Sequence, residues 1–141
     1  MIGIDTSFLV AFEHVRHESH DLARRVAARY QDELLAVAPQ VIAEFTHVAT
    51  DPRRFEEPLE LEDALSRAAA WWAGAETVIV HPGHSTLELF HRWMLEYKLG
   101  RKRVLDTLLA ATYCEAGISV IASMDDRGFA LFPGIHVLPS K

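Results

Sequence analysis

The sequence predicts an α/β domain of three layers, α/β/α, built around a central parallel sheet. Three observations carry this. Short apolar runs suited to buried strands recur at residues 2–4, 34–38, 77–81, 118–122 and 135–138. Between them lie longer stretches in which apolar residues return at helical spacing. Alternation of this kind builds βαβ units, whose parallel strands are covered by helices on both faces. There is no repeat, low-complexity segment or linker, so the 141 residues are read as one domain.

The elements follow in order. Ile2 and Ile4 make a first strand; Asp5, Thr6 and Ser7 favour a helix start, and Phe8-Leu9-Val10-Ala11-Phe12 continues as an apolar helix. A polar connector with His14, His17 and His20 leads to a helix carrying Leu22, Val26, Ala27 and Tyr30. After the second strand, Pro39 suits the first position of a helix whose stripe is Val41, Ile42, Phe45, Val48 and Ala49, with Glu44 on its shoulder. Asp51-Pro52-Arg53-Arg54 breaks that helix, and another from about Leu59 to Ala73 is expected to stop at Gly74. The third strand, 77–81, closes at Pro82-Gly83. A helix over 85–97 follows, with Leu87, Phe90, Trp93, Met94 and Tyr97 as its apolar positions. The basic loop 98–103 precedes a helix from Asp106 to Glu115, whose predicted stripe is Leu105, Leu109, Thr112 and Ala116 and whose stop is Gly117. The fourth strand ends at Ser123-Met124-Asp125-Asp126, and the last, 135–138, is read as an edge strand.

Composition limits the function. A net charge of −6 argues against a basic surface that coats nucleic acid without regard to sequence. It leaves phosphodiester substrates open, because divalent cations on clustered acids reverse the local field. Cys114 is the only cysteine, which excludes an internal disulfide and fits the reducing cytoplasm. No basic stretch followed by an apolar run marks a signal peptide, and no window approaches the roughly 18 apolar residues of a membrane span.

The acids form a constellation. Asp5 follows strand one, Glu44 lies on the helix after strand two, Asp106 opens the helix before strand four, and Asp125-Asp126 follows that strand. Right-handed crossovers bring the C-terminal ends of parallel strands to one rim, where Asp5 meets Asp125-Asp126 if strands one and four are neighbours. Carboxylates without basic partners are costly to crowd, unless a hard cation such as Mg²⁺ or Mn²⁺ sits among their oxygens. Taken singly, each has a plainer reading: Asp5 as a helix cap, Asp106 as a first-turn acid favoured by the helix dipole, Glu44 as a solvated residue, Asp125-Asp126 as a turn.

The pattern resembles the PIN-domain family of metal-dependent ribonucleases, specifically the VapC-type toxins of bacterial toxin–antitoxin pairs. It is carried in order by Ile4-Asp5-Thr6-Ser7, Val41-Ile42-Ala43-Glu44-Phe45, Asp106-Thr107-Leu108-Leu109-Ala110-Ala111-Thr112 and Ser123-Met124-Asp125-Asp126-Arg127-Gly128-Phe129. The resemblance implies that Asp5, Asp106 and one of Asp125 or Asp126 ligate Mg²⁺ or Mn²⁺ directly or through water, and that Glu44 is a further ligand or orients water. Asp125 is assigned to the ligand set and Asp126 to its support. Ser7 and Ser123 are supporting hydroxyls, Ser123 standing where a threonine is common and Gly128 where many members carry a further acid. An RNA substrate, an inhibiting antitoxin and a homodimer are implied as well.

Arg101, Lys102 and Arg103, just before Asp106, are candidates for RNA phosphates, against the plainer reading of a solvated loop. The histidines of the connector, and His81 and His84, are read as solvent-exposed, His47 as a plain surface residue, and Trp71, Trp72 and Trp93 as core and subunit contacts. The competing reading is a catalytically silent PIN-like module that binds RNA or protein. A receiver-like domain fits poorly, since it needs paired acids after strand one and a lysine near the end of its sheet.

Overall fold

The computed structural model describes residues 1–125 and 128–139. Among these, five strands form one sheet: β1 (Ile2–Ile4), β2 (Leu35–Val37), β3 (Thr77–Ile79), β4 (Val120–Ala122) and β5 (His136–Leu138). Their order is β3-β2-β1-β4-β5 and every neighbouring pair is parallel. The chain therefore runs outward from β1 to β3, crosses back, and continues from β4 to β5. Strand order reverses between β1 and β4, the crevice where open α/β sheets place their ligands.

Among the described residues six α-helices accompany the strands: α1 (Thr6–Glu13), α2 (His20–Arg29), α3 (Pro39–Ala49), α4 (Leu61–Ala73), α5 (His84–Glu96) and α6 (Val104–Glu115), with a 3₁₀ turn at Arg101–Arg103. The period of two along β1 separates the faces. Ile2 and Ile4 point toward Phe8 of α1, Val26 of α2 and Trp71 of α4 around an apolar cavity of about 320 Å³. Gly3 points the other way, and a Cβ there would lie 2.7 Å from the Tyr113 ring of α6. α5 packs against α6, and α1 against α2 and α3. Leu9, Val41, Phe45 and Leu109 are essentially inaccessible, each contributing about 1.5–3 kcal/mol by burial.

Several local expectations hold for identifiable reasons. Pro39 is the first residue of α3, where its missing N–H has no partner to lose. Gly117 follows α6 at φ +77, the left-handed conformation that suits glycine. The Thr112 hydroxyl donates to the Leu108 carbonyl one turn back at 2.7 Å.

Others are corrected. The strands are three residues long; after β1 and β2 a helix begins at once, and Ala38 already precedes α3 as its N-cap residue. α4 starts at Leu61 rather than about Leu59, and stops at Gly74 as expected, in extended backbone (ψ 140). Leu87 and Leu105 are more than half exposed. α5 is buried through Thr86, Leu89 and the expected Trp93, and α6 through Thr107, Ala110, Ala111, Tyr113 and the expected Leu109 and Thr112. A helix embraced on several sides shows no single apolar stripe, so the expected positions divide: Trp93, Leu109 and Thr112 are buried, while Leu87, Leu105 and Ala116 are exposed. No helix among the described residues is long and apolar enough to cross a membrane.

Candidate active site

The site grows from the end of β1. The Asp5 N–H donates to the Ala122 carbonyl at 3.0 Å, extending the β1–β4 ladder, and the Asp5 carbonyl accepts from Leu9 to open α1. Asp5 thus occupies the N-cap position, yet its side chain makes no capping hydrogen bond. The carboxylate turns to β4. Its Oδ2 accepts from the Ser7 hydroxyl at 2.6 Å and from the Ser123 hydroxyl at 2.8 Å. Each hydroxyl oxygen accepts a backbone N–H in turn, Ser7 from Met124 and Ser123 from Asp125, both at 3.0 Å. Two serines far apart in sequence thereby tie α1 to the loop after β4. Asp5 is only 7% exposed. Burial raises its pKa, and the two hydroxyls and the nearby N–H dipoles of Thr6 and Ser7 work against that rise.

Glu44 reaches the same cleft from α3, half-buried. Burial pushes its pKa up and Asp5 adds to the rise, while a hydrogen bond from Gln40 opposes it. Gln40 Nε2 donates to Glu44 Oε1 at 2.9 Å and to the Leu105 carbonyl at 2.8 Å, bridging α3 to the start of α6. Asp106, in the first turn of α6, has its pKa raised to about 6, first by burial and then by Asp5; Arg103 opposes the shift, and Glu44 and Asp125 add to it. All four carboxylates, Asp5, Glu44, Asp106 and Asp125, line one open cleft of about 720 Å³. Among the described residues only Asp106 of the four has a cation within ion-pair distance, Arg103 at 3.9 Å. Asp126 lies outside the described residues.

The far wall of the cleft is different. It is formed by Arg16, His17 and Glu18 of the connector after α1 and by Arg54 and Phe55 after α3. His14, expected at the surface, is 3% exposed. Its ring stacks on Phe55 at 4.0 Å between centroids. The Arg16 N–H donates to His14 Nδ1, which assigns the proton to Nε2, and Nε2 bonds the Glu57 carbonyl at 3.1 Å. This histidine is therefore a structural pin between two loops. His81, His84 and His47 are exposed as expected.

The basic trio divides. Arg101 and Lys102 are exposed, whereas Arg103 turns inward and donates from Nη2 to the Gly128 carbonyl. Trp93 is core, stacked on Phe132; Trp71 meets Phe12 edge-on; Trp72 is 47% exposed. Sequence reasoning missed Gln40, Arg16 and Arg54. Gln40 had a signal in its spacing, four residues before Glu44 on one helix face. Arg16 and Arg54 join only through tertiary structure.

A hydroxyl-braced acid at the switch point, with three more acids around it, invites comparison with known proteins. The PIN domain family model matches residues 2–134. The chain belongs to the PIN domain family. Solved structures agree on the fold. This PIN domain is similar to the Mycobacterium tuberculosis toxin VapC20, described as cleaving the sarcin–ricin loop, at TM-score 0.74 and 20% identity over 96% of this chain and 98% of that one. It is also similar to a chain of a toxin–antitoxin complex from Klebsiella pneumoniae, at TM-score 0.65 and 18% identity over 96% of each. A third likeness is to a chain of Rickettsia felis VapBC2 bound to a promoter DNA fragment, at TM-score 0.65 and 17% identity over 97% of each. No curated protein sequence matches the chain.

Proposed function

We propose that this PIN domain is a cytoplasmic, metal-dependent endoribonuclease that hydrolyses RNA phosphodiester bonds, and that it is the toxin of a toxin–antitoxin pair. The observation that carries the reading is the convergence of Asp5, Glu44, Asp106 and Asp125 on one cleft at the β1/β4 switch point. The donor set is all hard oxygen, which suits Mg²⁺ or Mn²⁺. Among the described residues no three Asp, Glu, His or Cys side chains converge closely enough to ligate one ion. The fit is therefore to a cation that keeps much of its water and takes one or two direct carboxylates, as Mg²⁺ does.

Asp5, Asp106 and Asp125 would hold the cation, and Glu44 would ligate it or orient the attacking water. When bound, the ion supplies charge stabilisation at the phosphoryl oxygens and a more acidic water. The chain's own residues do the positioning. Ser7 and Ser123 fix the Asp5 carboxylate through Oδ2, and Gln40 fixes Glu44. Arg101 and Lys102, both exposed, and Arg16 and Arg54, which line the cleft, would meet RNA phosphates flanking the acids. The Klebsiella and Rickettsia assemblies support an antitoxin as the partner. Leu87 and Leu95 of α5 and Leu105 of α6 are exposed, and they would be covered by a second copy in a homodimer.

The test is cleavage of a structured RNA pool by the purified chain with Mn²⁺ or Mg²⁺. EDTA is expected to stop it, and Asp106→Asn to abolish it in a folded protein. Undiminished cleavage in EDTA would overturn the metal-dependent reading. RNA binding with neither cleavage nor metal binding would instead favour the silent PIN-like module, which the absence of a converged ligand trio among the described residues keeps in view.

A further inference from the structure

We propose that Arg103 is a built-in counter-cation: it neutralises Asp106 while no metal is bound, and thereby sets the site's affinity for a divalent cation lower than its carboxylates alone would give. The inference rests on the metal-binding reading above and concerns how that site is tuned.

Three observations support it. First, the Arg103 side chain is only 28% exposed, unlike those of Arg101 and Lys102. Its Nη2 is committed to the Gly128 carbonyl. Second, its Nε lies 3.9 Å from Asp106 Oδ2, within ion-pair range but too far for a hydrogen bond. That Nε is buried and has no hydrogen-bond partner among the described residues. A buried donor left unmade is costly. The Nε edge of the guanidinium is thus poorly placed for hydrogen bonding and well placed for Coulomb attraction to the one cleft acid beside it. Third, the loop makes room for this pair. A Cβ at Gly128 would lie 3.0 Å from Asp106 Oδ2 and 4.0 Å from Arg103 Nη2. Where a side chain would stand between acid and arginine, the chain carries hydrogen.

The consequence is competition. A positive charge 3.9 Å from a ligand oxygen repels any second cation that approaches that oxygen, and in a half-buried cleft the repulsion is weakly screened. Arg103 is therefore a positioning residue, not a catalytic one. Its effect on metal binding has the opposite sign to that of any ligand.

The experiment is calorimetric titration of Mn²⁺ into the full chain, without RNA, for wild type, Arg103→Gln and Arg103→Lys. Arg103→Gln removes the charge and is expected to bind Mn²⁺ about tenfold more tightly. Arg103→Lys keeps the charge while losing the planar fork that reaches Gly128, and is expected to bind as wild type does. If wild type binds Mn²⁺ and Arg103→Gln binds it no more tightly, the counter-cation is overturned and the metal site stands. If Arg103→Lys tightens binding as Arg103→Gln does, the contact to Gly128 is responsible and the charge is not. If none of the three binds, the metal-binding reading falls and the counter-cation with it.

Discussion

Asp5 and Asp106 line the same cleft, yet the chain holds them by opposite means. Asp5 is nearly sealed, anchored by strand backbone and by two serine hydroxyls, with no described cation beside it. Asp106 is on a helix, 39% exposed at the side chain, and faces an arginine. Hydroxyls fix a carboxylate's geometry and leave its charge in place. An arginine offsets charge and fixes geometry less tightly at 3.9 Å. The difference teaches that the β1/β4 side of the cleft is its rigid half and the α6 side its adjustable half.

The largest effect expected from this contrast is at Asp5. Asparagine keeps the shape and can still accept from both hydroxyls, so Asp5→Asn tests charge alone. RNA cleavage is expected to fall by about a thousandfold or more. The metal-free protein is expected to melt at or above the wild-type temperature, since a buried and poorly solvated charge has gone. Stabilisation by Mn²⁺ should shrink, because tighter native-state binding stabilises more. An equal Mn²⁺ shift in the two proteins would show that the rigid half takes no part in binding metal.

A smaller effect is expected at the braces. Ser7→Ala and Ser123→Ala each leave the Asp5 charge but remove one hydroxyl from Oδ2, so each is expected to cost roughly 10–100-fold in Mn²⁺ affinity or cleavage. If both variants match wild type, two hydrogen bonds at 2.6 and 2.8 Å do not set the carboxylate's position, and the contrast between the halves dissolves.

The smallest effect is on stability against pH. Asp106 titrates near 6 in the folded protein, against about 3.9 in an unfolded chain. Between those values the folded state keeps a proton that the unfolded state has released, so this group's contribution falls as pH rises from about 4 to 6. Asp5 and Glu44, also raised, act in the same direction. The metal-free protein is expected to gain on the order of 1 kcal/mol on going from pH 7 to pH 5, a figure reduced for screening at a partly exposed carboxyl. Its Mn²⁺-induced shift should shrink over the same range. Melting curves at the two pH values with and without Mn²⁺ check both signs; a metal-free protein that is less stable at pH 5 would show that the cleft acids do not dominate.

How far the sequence could be read depends on how local the cause is. Pro39 and Gly117 declare themselves because their backbone demands are their own. Asp5, Glu44, Asp106 and Asp125 were legible as a set because strand–helix alternation fixes which strand ends share a rim, and the observed β1–β4 pairing is the condition on which that placement depended. What escaped is set by contacts across the fold. His14 looks like a connector residue until Phe55, 41 positions later, covers its ring. Arg103 is indistinguishable from Arg101 and Lys102 until the loop at Gly128 arrives beside it. Leu105 shares a helix with Leu109 and Thr112, which are buried as expected, but that helix is also buried through Thr107 and Tyr113, which the expected stripe left out.

Gly3 has a consequence of its own. With no side chain there, the Tyr113 ring lies close against β1 and its hydroxyl donates to the Ile4 carbonyl at 2.6 Å and the Ala36 carbonyl at 3.2 Å. Asp106 sits two turns up the same helix from that anchor, roughly 10 Å along the axis. The span between the acid that ends β1 and the acid that opens α6 is thus gauged like a caliper, one jaw on the strand and the other on a rod pinned to it. A methyl group added at Gly3 would push on the rod at its pin and open the jaws, altering the cleft from a position that never touches it.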